Sequence, residues 1–285
     1  MSEIQMKVKA RAKINLSLDV LGKRGDGYHE ILTVMQALEL HDVLEVELLP
    51  GEIRVESSDP EVPPGPGNIV YRAAGLIRRE YGCTRGARIY IHKNIPVAAG
   101  LAGGSTDAAA ALRALNELWE LNIGEGEIFR LGEMLGSDVP FCLLGKAALA
   151  GGRGEVLTPL PPFSGLGVVL VKPPFGVSTA RIYGLYDTCP PGPGPDTGAL
   201  IGALKKRDVP AVAGLMGNVL ERVTSSLHPE IMDIKNALLA AGAAGALMSG
   251  SGPAVFGLCA GPEEALAVAS RLKLPGCRII TTATV

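Results

Sequence analysis

From Gln5 to Val20 apolar and polar residues alternate without a break. Val8, Ala10, Ala12, Ile14, Leu16 and Leu18 share one face, and Lys9, Arg11, Lys13, Asn15, Ser17 and Asp19 the other. A period of two over this length predicts a long, half-buried strand with an exposed polar face. Residues 43–49, 53–56, 87–92, 147–150, 167–172 and 278–284 read as further strands. Asn68 is placed to cap a helix in which Ile69, Ala73, Leu76 and Ile77 recur at helical spacing. An Ala/Leu-rich helix opens at Ser105-Thr106-Asp107 and runs to about Leu121, and another over 125–135 stops at Gly136. Later helices are predicted over 199–206, 209–217, 218–226, 230–241 and 263–272. Strands come early, helices cluster later and strands return, so the chain reads as α+β with two lobes rather than a regular βαβ alternation. The boundary is expected between 155 and 165, giving domains 1–158 and 159–285.

Composition narrows the classes. Glycine (37) and proline (21) make about a fifth of the 285 residues, against a usual share of about 12%. With no Gly-X-Y period, this excess belongs to loops, among them a stiff PPGPGP excursion at 190–195. Lys+Arg (27) nearly balance Asp+Glu (29) with no block of like charge, which argues against a nucleic-acid partner. Five scattered cysteines without a C-x-x-C pair suggest neither a zinc site nor a disulfide framework, and fit a reducing cytoplasm. Charges at Glu3, Lys7, Lys9, Arg11 and Lys13 leave no apolar signal segment. Residues 237–262 carry no charge, but six glycines and Pro253 make them a helix, a glycine turn and a buried strand; no membrane span is expected.

The most informative loop is Pro96-Val97-Ala98-Ala99-Gly100-Leu101-Ala102-Gly103-Gly104-Ser105-Thr106. Glycine permits close backbone approach, and a helix start offers free N–H groups with partial positive charge. Such a loop either holds phosphate or merely precedes a capped helix; it lacks the Gly-Lys-Ser/Thr of a Walker loop. Ser249-Gly250-Ser251-Gly252-Pro253 is either a second anion nest or a tight turn between core segments. Asp138, before Val139, Pro140 and Phe141, is either a turn residue or an acid/base. Lys13 and Asn15 lie on the polar face of the first strand. Tyr28 and His29 follow Gly25-Asp26-Gly27, and Phe175 sits on a proline-stiffened loop where its ring either stacks a base or plugs the core. His41, His92 and His228 are isolated. Hydrolase, metal and dinucleotide templates find no match.

The segments Ala12-Lys-Ile-Asn-Leu-Ser-Leu18, Gly22-Lys-Arg-Gly-Asp-Gly-Tyr-His-Glu30, residues 95–107, Gly136-Ser-Asp-Val-Pro-Phe141 and Met248-Ser-Gly-Ser-Gly-Pro253 occur in one order over essentially the whole chain. Together they resemble the GHMP kinase superfamily. The GKRGDGYHE segment is similar to the branch that phosphorylates the 2-hydroxyl of 4-diphosphocytidyl-2-C-methyl-D-erythritol, a step of the non-mevalonate isoprenoid route. The resemblance implies a two-lobed fold with an N-terminal ATP-binding domain and a C-terminal α/β domain, a substrate cleft between them, and ATP with Mg²⁺. It implies that residues 96–106 wrap the ATP phosphates and that Asn68 and Lys93 lie near the adenine. Asp138 is the implied catalytic base and Lys13 its partner, while Asn15, Tyr28, His29 and Phe175 form the implied cytidine side. Ala98 and Ala102 stand where some relatives have glycine, Thr106 stands for a common Ser, and Ala254 stands where a Thr is frequent. A soluble cytoplasmic monomer or homodimer is expected.

Overall fold

The structure, a computed structural model, describes residues 5–189 and 192–285. Of the proline excursion, Pro190 and Pro191 therefore lie outside the described residues. The chain runs through β1 (Gln5–Lys23), β2 (His29–Leu49) and β3 (Ile53–Ser57) into α1 (Ile69–Tyr81), β4 (Gly86–His92), α2 (Gly103–Leu118), α3 (Glu125–Leu135) and α4 (Val139–Leu144). It continues through β5 (Ala147–Gly151), β6 (Val156–Pro159), β7 (Gly167–Lys172), α5 (Thr179–Tyr186), α6 (Thr197–Lys206), α7 (Val209–Leu215) and β8 (Gly217–Asn218). It closes with α8 (Glu221–Leu227), α9 (Glu230–Ala240), β9 (Gly245–Met248), β10 (Val255–Cys259), α10 (Pro262–Arg271) and β11 (Arg278–Ala283).

Packing divides the chain into two compact units that are discontinuous in sequence. One is Met1–Ala12, Leu40–Val97 and Ala102–Gly145; the other is Lys13–Glu39, Ala98–Leu101 and Lys146–Val285. The long strands β1 and β2 each supply residues to both, so division by packing differs in kind from a single cut in the sequence.

In the first unit the C-terminal part of β2 pairs antiparallel with β4, from Val43 opposite His92 to Leu49 opposite Gly86, and β3 pairs parallel with β4. Helices α1 to α4 bury an Ala/Leu face with these strands: Ala73, Ile77, Ala108, Leu112, Leu115 and Leu131 are almost wholly inaccessible. Alanine dominates α2 because small side chains let it approach its neighbours closely while keeping high helix propensity. Asn68 caps α1 as expected, its side chain accepting from the Val70 amide at 2.8 Å.

In the second unit the N-terminal part of β2 pairs with β5, β5 pairs with β6, and Ser17 and Leu18 of β1 pair parallel with β8. A separate antiparallel sheet has the order β11-β7-β10-β9. Its strands β7, β9 and β10 are buried on both sides, which accounts for the uncharged run over residues 237–262. No described helix is long and apolar enough to cross a membrane.

The expected exposed polar face of β1 is wrong over its middle. Lys13, Asn15 and Ser17 are buried along with Ala12, Ile14 and Leu16. A strand covered on both faces keeps its period of two, but the polar set then needs hydrogen-bond partners rather than water. The same double burial hid the first half of β2, where residues 31–38 show no clean alternation. The elements α4, α5, β6 and β8 are short, and none was legible as a periodic segment.

Candidate active site

The glycine-rich loop leaves the first unit at Val97, contributes Ala98–Leu101 to the second, and returns at Ala102. Three of its residues take left-handed backbone: Ala98 (φ 50°), Gly100 (φ 78°) and Ala102 (φ 57°). This conformation costs an alanine about 1–2 kcal/mol, so the loop's course is imposed by its surroundings. Ala102 holds the N-cap position of α2 without a side-chain cap, and the Thr106 amide donates to its carbonyl at 2.9 Å. Helix α2 thus begins at Gly103, two residues earlier than expected, and Ser105 and Thr106 lie within its first turn. The turn's free amides suit an anion.

Within the second unit the loop is held by the Ser/Gly turn between β9 and β10. The Ser249 hydroxyl donates to the Gly100 carbonyl at 2.9 Å, and the Ala254 amide to the Ala99 carbonyl at 3.2 Å. A Cβ on Gly100 would collide with the Ser249 carbonyl, so only glycine fits. The turn is itself restrained: Asn218 donates to the carbonyls of Met248 and Gly250 (2.9 and 2.7 Å), and the Thr224 hydroxyl to that of Ser251 (3.1 Å). Residues 249–253 form a tight turn, in which the Gly252 amide donates to the Ser249 carbonyl at 2.9 Å.

Lys93 ends buried in the first unit, its ammonium bound by two buried carboxylates, Asp42 and Asp107. Asp42 also accepts the Asn94 and Ile95 amides at 2.5 and 2.8 Å, clamping the start of the loop segment. Burial pushes the Asp107 carboxyl up to about 8, with Lys93 pulling it down and Asp42 pushing it further up. Burial works against the Lys93 charge too, but Asp107 and Asp42 outweigh it and hold the ammonium above its usual range. Asp107 Oδ1 has no hydrogen-bond partner among the described residues. The role of Asp42 escaped sequence reasoning because an Asp at a strand midpoint has no local signature.

In the second unit the Lys13 ammonium donates to Asn15 Oδ1 at 2.8 Å, Asn15 Nδ2 to the Thr33 hydroxyl at 2.8 Å, and Thr33 to the Ser17 carbonyl at 2.5 Å. The Lys13 amide donates to the Leu101 carbonyl at 3.2 Å, which registers the lysine-bearing strand on the loop. In the first unit Asp138 is half-buried at the N-cap position of α4; its carboxylate does not cap the helix, although its carbonyl accepts the Cys142 amide.

The cytidine-side candidates all lie in the second unit. Tyr28 is exposed, with the Arg153 guanidinium 4.8 Å from its ring centre. His29 is buried; its Nε2 lies 2.6 Å from Asp187 Oδ1 and its ring 4.9 Å from that of Tyr183. Phe175 is half-buried and stacks on His228 at 4.2 Å and 15°. His228 is therefore not the isolated histidine it seemed. Distance in sequence concealed both of these pairings.

The sequence profile of the GHMP kinases N terminal domain matches residues 68–146, and that of the GHMP kinases C terminal matches residues 200–276. A 4-diphosphocytidyl-2-C-methyl-D-erythritol kinase from Pelotomaculum thermopropionicum is 53% identical over 279 residues, covering 96% of each chain. One from Acetivibrio thermocellus is 48% identical over 278 residues and 98% of each. A crystal structure of 4-(cytidine 5'-diphospho)-2C-methyl-D-erythritol kinase superimposes with a TM-score of 0.82 at 37% identity, over 98% of this chain and 99% of that one. Homoserine kinase from Cytophaga hutchinsonii shares the fold, with a TM-score of 0.78 at 22% identity over 100% and 96%. The chain belongs to the GHMP kinase superfamily, with the two-domain α+β fold of that group, in the family of the 4-diphosphocytidyl-2-C-methyl-D-erythritol kinases.

Proposed function

We propose that this enzyme transfers the γ-phosphoryl group of ATP to the 2-hydroxyl of 4-diphosphocytidyl-2-C-methyl-D-erythritol. The observation that carries this reading is the joint between strand and loop: a buried lysine whose own amide holds the carbonyl of Leu101, in a loop leading to free helix amides. Phosphoryl transfer asks a protein chiefly for positioning and charge stabilisation. Residues 96–106 would cradle the phosphates through backbone N–H groups, with Asn68 and Lys93 on the adenine side. Asp138 would accept the proton of the substrate hydroxyl, and the Lys13 ammonium would oppose the charge that develops there. Asn15, Tyr28, His29 and Phe175 would bind the cytidine end. We take residues 1–158 and 159–285 as the two sequence domains.

Among the described residues no three His, Cys, Asp or Glu side chains converge on a cation-sized point. The hydroxyls at the start of α2 suit a Mg²⁺ that arrives with the nucleotide and keeps phosphate and water oxygens, while the amides there suit the phosphates. Ser105 is the side chain that would help hold it. When bound, the ion neutralises charge on the phosphates. The five cysteines are free thiols, which supports a reducing, cytoplasmic setting; we take the enzyme as a monomer or homodimer.

An ADP-release assay with Mg-ATP tests the reading, offering the cytidyl substrate beside homoserine and mevalonate. Turnover is expected with the cytidyl substrate alone; turnover with another alcohol removes the cytidine pocket, and silence with all three removes the kinase. The Asp138→Asn enzyme should fold and bind ATP but lose at least about 100-fold in kcat, the usual scale for a general base. Near-normal kcat would exclude Asp138 from proton transfer.

A further inference from the structure

Two residues of the GKRGDGYHE segment meet on one carboxylate far away in sequence. Lys23 donates to Asp187 Oδ2 at 2.6 Å, and His29 Nε2 lies 2.6 Å from Asp187 Oδ1. The segment's other charges serve its own turn and its link to Gly152. Arg24 bonds Asp26 and Glu30 (3.2 and 2.5 Å), Asp26 accepts the Tyr28 amide at 3.1 Å, and Glu30 accepts the Gly152 amide at 3.0 Å. Asp187 itself is the C-cap residue of α5, its amide bonded to the Tyr183 carbonyl at 3.1 Å. A carboxylate there faces the negative end of the helix dipole, normally a place for cations. Lys23 and His29 supply the compensation. Their hydrogen bonds, Lys23's first, hold the Asp187 carboxyl below its usual range, so it is an ionised acceptor at neutral pH.

An ionised carboxylate only accepts, so His29 Nε2 carries the hydrogen in this contact. In neutral imidazole Nδ1 is then an acceptor. Tyr183 packs against the ring, so α5 and its cap restrain both the edge and the face of His29.

We propose that Asp187 is a positioning residue for substrate recognition: it fixes His29 as the Nε2–H tautomer and so presents Nδ1 as an acceptor for an amino group such as the exocyclic amine of cytosine. This rests on the reading of His29 as a cytidine contact. A site built around a hydrogen-bond acceptor rejects analogues that lack the matching donor.

Two measurements test it. In long-range ¹H–¹⁵N spectra of the histidine-labelled enzyme, with His29 assigned by its loss in His29→Ala, the expected pattern is protonated Nε2 with bare Nδ1; an Nδ1–H tautomer overturns the proposal. In steady-state kinetics Asp187→Ala should raise KM for the cytidyl substrate about tenfold, the scale of one lost hydrogen bond to a charged group. Its kcat and KM for ATP should stay within about twofold on the same argument. Asp187→Asn, which keeps an oxygen acceptor, should recover most of the loss. Added to His29→Ala, Asp187→Ala should change nothing more; a full further loss, or an equal rise in KM for ATP, overturns the proposal. If His29→Ala alone leaves the substrate KM unchanged, the cytidine role of His29 fails and the recognition half falls with it, while the spectra still decide the tautomer.

Discussion

Asn15 sits between a lysine that only donates and a threonine hydroxyl that takes one hydrogen and gives another. That order fixes which end of its amide faces Lys13, because an ammonium has no acceptor. The chain ends on the Ser17 carbonyl, so each member is committed in one direction. Thr33→Val keeps the shape and removes the hydroxyl, leaving Asn15 Nδ2 buried without its acceptor. A destabilisation of about 1–3 kcal/mol is expected, the cost of one orphaned buried group. With Lys13 less firmly held, kcat should fall more than KM for ATP rises. Unchanged kcat in a folded variant would show that Lys13 is held without this chain. In the sequence Lys13 and Asn15 were visible as candidates, but Thr33 was not, since nothing local joins it to a strand 16 residues earlier.

At the scale of elements, the phosphate-loop candidate is a short span held by contacts that are not its own. The β9–β10 turn holds it through Ser249 and Ala254, and Asp42 on β2 holds the segment that leads into it. Gly100→Ala would place a methyl on left-handed backbone against the Ser249 carbonyl. Such strain costs about 1–3 kcal/mol, so melting temperature should fall and KM for ATP should rise several-fold. An unaltered KM would mean that the loop's course does not matter to the nucleotide. The loop and the Ser/Gly turn were each legible from their glycines. Their attachment was not, because it is made of backbone carbonyls brought together by the sheet.

Across the molecule, the Asp42–Lys93–Asp107 cluster buries two carboxylates with one ammonium, so its energy depends on pH. Unfolded, Asp107 loses its proton near pH 4; folded, burial holds the proton to about pH 8. Between those values the folded chain binds a proton that the unfolded chain has released. Its stability at this site therefore falls as pH rises through that window. The raised Lys93 acts above it, contributing until pH passes its folded value. Melting temperature measured by calorimetry should drop between pH 5.5 and 8.5, and Asp107→Asn should flatten that slope. An equal slope in the variant would place the pH dependence elsewhere.

Local pattern alone determined the long first strand, the boundaries of α3, the Asn68 cap and the glycine loop running into a helix, because each depends on residues within a turn or two of one another. Motif order carried the family. Tertiary structure alone decided that β1 is covered on both faces, which carboxylates hold Lys93, that the loop hangs from the β9–β10 turn, and that His29 answers to Asp187. Those are pairings of buried polar groups across long sequence separations. The sequence sets the need for a partner at each of them, and only the packed sheets and helices determine which partner meets it.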